Sequence, residues 1–98
     1  MVAMNNSVLI YSDFNDVVEE SVTLLEKSGY IVFSAGNFNG AIDLITSADY
    51  EYFLVDDTVD ATTLKYLISE SRRCQPDAAV ITFNAVESIL TRFRHSKA

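Results

Sequence analysis

Residues 8–35 read VLIYSDFNDVVEESVTLLEKSGYIVFSA, and the change of period inside this stretch decides the fold. Val8 to Tyr11 is an unbroken apolar run with β-branched and aromatic members, and it stops at the turn formers Ser12 and Asp13, the pattern of a buried strand. The spacing then becomes helical. Asp16 with Glu19 three residues on makes a capping-box-like start, Val18, Val22 and Leu25 recur at i, i+4 and i+7, and Gly29 supplies the stop. Tyr30 to Ser34 returns to the pattern of a strand.

The alternation continues outward from this unit. Asn39 is the expected cap of a second helix whose Ala41, Leu44, Ile45 and Ala48 form one stripe, and Tyr52 to Val55 is a third strand. Asp60 is the expected cap of a third helix, with Leu64, Leu67, Ile68 and Ser71 on one face, Arg72 and Arg73 in its last turn and Pro76 beyond. Ala79 to Phe83 is a fourth strand, and Val86, Ile89, Leu90 and Phe93 carry a fourth helix. Strands that are apolar on both faces and separated by helices predict an α/β sandwich of three layers, with a four-stranded parallel sheet and four helices.

Composition bounds the rest. Ninety-eight residues, 49% hydrophobic and 21% charged, predict one domain over 1–98, with 1–6 as a flexible N-terminal tail and 94–98 as a basic C-terminal tail. The lone Cys74 has no partner for an internal disulfide and reads as a half-buried, inert thiol. No apolar run approaches the roughly 20 residues of a membrane span, so the expectation is a cytoplasmic chain with no membrane partner. A net charge of −7 repels phosphate backbones and argues against direct nucleic-acid binding. Arg92, Arg94, His95 and Lys97 read as a complement to a helix end or as a solvated tail. Of the aromatics, Phe14, Tyr50 and Phe93 read as less buried than those on strands.

In such sheets ligands bind beyond the carboxyl ends of the strands. Those ends carry Ser12-Asp13, Asp56-Asp57 with Asp60 close behind, and Asn84. With the first and third strands as neighbours, Asp13 and Asp56 would converge, and two uncompensated carboxylates either hold a divalent cation or raise one another's pKa. The competing reading of Asp56 is a loop carboxylate that caps the turn before the third helix.

Taken together, Val8 to Asp13 with Asn15 to Val32, "YFLVDD" at 52–57 and Ala79 to Ala85 resemble the receiver domain of two-component response regulators, the CheY-like proteins, over nearly the whole chain. The resemblance implies a flavodoxin-like sheet of order 2-1-3-4. It places the phosphoacceptor at Asp56, Mg²⁺ on Asp13 and Asp56, and a contact from Asn84 to the phosphoryl oxygens. It also exposes departures. Ser12 stands where the family has a second acid, Phe14 where another acidic residue usually follows, and Asn84 where the family has Ser or Thr. The family's fifth strand, with its lysine, has no counterpart before Ala98.

These departures predict a degenerate signalling module with no catalytic residues, not an enzyme. It would work by protein–protein contact without phosphorylation, as a homodimer or docked onto another protein, through Val86, Ile89 and Phe93 beside the edge of the fourth strand. The alternative is a working receiver, whole or a fragment of a longer response regulator, in which Asp56 takes phosphate from a histidine kinase or a small donor with Mg²⁺ bound. A third reading, an unrelated flavodoxin-like binder of an anion or nucleotide, is disfavoured by the scarcity of glycine at the strand ends.

Overall fold

The computed structural model describes residues 6–84. Within them the chain runs β1 (Ser7–Tyr11), α1 (Asn15–Lys27), β2 (Ile31–Ala35), α2 (Phe38–Ser47), β3 (Tyr52–Asp56), α3 (Ala61–Cys74) and β4 (Ala79–Phe83). The strands form one parallel sheet in the order β2-β1-β3-β4, as expected. The described residues hold three helices; the helix expected from 86 to 93, with Val86, Ile89 and Phe93, lies outside them, as does the basic tail.

Strand parity explains why the central strands carry apolar residues on both faces. Leu9, Tyr11, Phe53 and Val55 turn to one face and pack with Ala41 and Ile45 of α2 and Leu67 of α3. Val8, Ile10, Tyr52 and Leu54 turn to the other face, against Leu25 of α1 and Phe83 of β4. All five residues of β1 and of β3 are buried, and the polar ones, Ser7 and Asp56, stand at the strand ends. The edge strand β2 is only partly covered, and Ile31 is 59% exposed.

Several local expectations shift by a residue or two. The helix α1 starts at Asn15 behind Phe14, which makes no side-chain cap, so Asp16 lies inside the first turn instead of opening it. The cap of α2 is Asn37, whose side chain accepts from Gly40 N at 2.8 Å, and Asn39 falls within the helix. Asp60 caps α3 as read, accepting from Thr63 N at 3.1 Å. Gly29 ends α1 at φ +92°, with Tyr30 N donating to Leu25 O and Gly29 N to Glu26 O, the paired bonds of a Schellman stop. Asn6, expected to belong to a flexible tail, is held by Ile31 N donating to its carbonyl at 2.9 Å. Tyr50 is buried, not exposed, and its hydroxyl shares a 2.8 Å hydrogen bond with Ser71. Burial raises the Tyr50 phenol above its ordinary value, and the Ser71 bond opposes that shift in part.

Candidate functional site at the carboxyl end of the sheet

The parallel register between β1 and β3 pairs Val8 with Tyr52, Ile10 with Leu54 and Tyr11 with Val55. Carried one residue past the end of β1, the same offset sets Ser12 opposite Asp56 and turns both toward the α1 side of the sheet. Ser12 is fully buried and Asp56 is 5% exposed. The Ser12 hydroxyl donates to Asp56 Oδ2 at 2.8 Å, and Ser12 Oγ in turn accepts from Phe14 N at 3.0 Å. The other carboxylate oxygen, Asp56 Oδ1, accepts from Thr58 N at 3.1 Å. A carboxylate taken out of water needs such donors, because burying it unpaired costs several kcal/mol or more.

Tyr11 and Asp13 have the opposite parity. The Tyr11 ring packs in the cluster on the α2 and α3 face, and its hydroxyl donates to Asp13 Oδ1 at 2.5 Å. Burial first, then the Asp13 hydrogen bond and the charges of Asp13 and Asp60, push the Tyr11 phenol well above its ordinary value. Asp13 is itself exposed. The strands are neighbours, as the expected convergence of Asp13 and Asp56 requires, and Asp13 is hydrogen-bonded to Tyr11 and Asp56 to Ser12.

The surrounding loops are close-packed. Asn15 Oδ1 lies 2.9 Å from where a Cβ on Gly36 would be, so a larger residue there would push the exposed Asn15 side chain aside. Asp57 is exposed, and its backbone N–H donates to Phe83 O at 2.8 Å, tying the end of β3 to the end of β4, where Asn84 follows, also exposed. Asp60 is held below the usual carboxylate range by its Thr63 hydrogen bonds, as a helix cap should be. Phe14 stands 52% exposed at the mouth of the site.

Each oxygen of Asp56 and one oxygen of Asp13 accept one hydrogen bond from a neutral donor, which leaves a second lone pair on each, and Ser12 adds a neutral hydroxyl beside these two acids. Among the described residues no three His, Cys, Asp or Glu side chains are arranged to hold a metal ion.

This order of parallel strands, with helices on both faces, is a flavodoxin-like fold. Among solved structures the chain is similar to a response regulator protein from Burkholderia pseudomallei, determined with a phosphorylated aspartic acid, a calcium ion and citrate. The two agree with a TM-score of 0.71 and 22% sequence identity, over 94% of this chain and 72% of that one. No family model and no curated protein matches the sequence. The likeness establishes the fold. No described helix is long and apolar enough to cross a membrane.

Proposed function

We propose that the chain is a receiver-like signalling module that acts by protein–protein contact, as a homodimer or docked onto another protein, without phosphoryl transfer. The observation that carries this reading is the buried hydrogen bond from Ser12 to Asp56. A phosphoacceptor works beside a cation that neutralises the developing charge, and that cation needs acids around it. Beside Asp56 stands the neutral Ser12, whose hydroxyl bonds Oδ2 and ties β1 to β3. The module has no turnover of its own in this reading.

The second reading is a working receiver phosphorylated on Asp56 by a histidine kinase or a small donor, with Mg²⁺ bound and Asn84 touching the phosphoryl oxygens. It is favoured by the position of Asp56 at the end of β3 and by the phosphorylated aspartic acid of the structural neighbour. One experiment separates the two. The protein is titrated with beryllofluoride or acetyl phosphate in the presence of Mg²⁺, and amide shifts are followed at Asp13, Asp56 and Asn84. The first reading expects no saturable change; a saturable change lost in Asp56→Asn establishes the second. The association itself is checked by light scattering, where a charge at Ile89 or Phe93, outside the described residues, is expected to shift the protein toward monomer.

A further inference from the structure

We infer that α3 of one copy docks on α1 of the next through two helix stripes of matching spacing and opposite charge, so that the chain associates head to tail. The inference deepens the proposed contact with a second copy and rests on it. On α3 the places i, i+3, i+4 and i+7 are Lys65, Ile68, Ser69 and Arg72, which line a groove of about 460 Å³. On α1 the same four places hold Glu19, Val22, Thr23 and Glu26. Residues at this spacing share one side of a helix. Each stripe therefore reads as a charge, a branched apolar residue, a hydroxyl and the same charge again. Burial matches as well, since the charged and hydroxyl residues are exposed while Ile68 and Val22 are partly buried.

The charges are free to pair. Among the described residues the single ion pair joins Arg73 to Glu70, which leaves Lys65, Arg72, Glu19 and Glu26 without one. On each helix the two charges stand about 10.5 Å apart along the axis, so both pairs can form at once, with the helices parallel or antiparallel. Between them Ile68 meets Val22, an apolar contact that a small anion in the groove could not supply. The chain's own residues 85–98 bring Arg92, Arg94 and Lys97 against the lone acid Glu87, the sign of the groove instead of its complement. A second copy brings the complement. Because α1 packs on the Val8 and Ile10 side of the sheet and α3 on the Leu9 and Tyr11 side, the two stripes lie on opposite faces. Two copies cannot exchange both contacts, and each added copy leaves one stripe of each sign open.

The test is light scattering of the wild-type chain and of two variants, Lys65→Glu with Arg72→Glu and Glu19→Lys with Glu26→Lys, over concentration and salt. At about 0.1 M salt a screening length of about 10 Å spares a close ion pair and mutes the repulsion between whole molecules, and the wild type is expected to gain mass with concentration past the dimer. At about 1 M, where the length is about 3 Å, that mass is expected to fall. Either variant alone carries the same sign on both stripes and is expected to associate at least about tenfold more weakly, two exposed ion pairs having become repulsions. An equimolar mixture sets an acidic α3 against a basic α1 and is expected to regain the wild-type mass, which also shows that both variants are folded. A wild type that stays monomeric, stops at the dimer or ignores salt overturns the inference, as does a mixture that associates no better than its parts. Association that survives both variants and is lost with a charge at Ile89 or Phe93 also overturns it, and leaves the proposed function standing. A saturable beryllofluoride response overturns the proposed function instead.

Discussion

Replacing Ser12 by alanine deletes one oxygen and leaves the backbone and Cβ in place, which makes it the sharpest probe of what holds the sheet end together. Two bonds are lost. The Phe14 amide lies near the surface beside a half-exposed ring and can turn to water, so its loss costs little. Asp56 cannot, because it is 5% exposed and its Oδ2 has the Ser12 hydroxyl as donor. A hydrogen bond to a charged group is worth about 1.5–3 kcal/mol, so the variant is expected to lose about 2 kcal/mol of stability. For a domain of this size that is a fall in Tm of about 8–16 °C. Urea unfolding should show a lower midpoint with an unchanged slope, since the core surface exposed on unfolding stays the same. A double-mutant cycle with Asp56→Ala should return a coupling of about 1 kcal/mol or more. A loss below about 0.5 kcal/mol, or additive single substitutions, would mean that water satisfies Asp56 equally well and that Ser12 is not what holds it.

Three further outcomes follow from the geometry. The Tyr11 and Tyr50 phenols are both raised above the ordinary value of 10.0, so the folded state keeps protons that the unfolded chain releases. Stability is thus fully present below pH 10 and falls as pH rises above it, by up to about 1.4 kcal/mol per pH unit for each phenol, and Tyr11→Phe should flatten the decline in urea midpoints between pH 9 and 11. Asn37→Ala should cost about 1 kcal/mol in urea unfolding through loss of the α2 cap, whereas Asn39→Ala should stay within about 0.5 kcal/mol. Gly29→Ala meets no atom within 4 Å, so its cost is purely that of a left-handed backbone, about 1–2 kcal/mol by thermal melting.

What could be read from residue types was whatever repeats. The apolar runs at 8–11, 52–55 and 78–81 and the stripes through Leu25, Ile45 and Leu67 each reflect many contacts at once, so element order and the buried faces could be read directly. Starts of helices depend on a single bond. Asparagine stands at both 37 and 39, and only the observed bond to Gly40 N distinguishes them. Asp16 resembles an opening cap because its spacing to Glu19 suits one, but the turn at Ser12 brings the chain into the helix earlier. The carboxyl end was legible in its acids and in the oddity of Ser12. Its wiring was not, because Ser12 and Asp56 lie 44 residues apart and meet only through the register of two strands. A signal did exist: once β1 and β3 are taken as parallel neighbours in that register, a serine one step past the first strand must face an aspartate at the end of the third.

That register also sets the order in which the protein can be assembled. β1 is made early, yet its partners in β2 and β3 lie 24 and 44 residues downstream. A nascent chain therefore carries this buried central strand unpaired on one side until β3 has left the ribosome, and pairing at such separation is slow. Synthesis stalled between Ala35 and Tyr52 would leave β1 with one open, uncharged edge, the form of this chain most prone to aggregation and the most natural point for a chaperone to hold it.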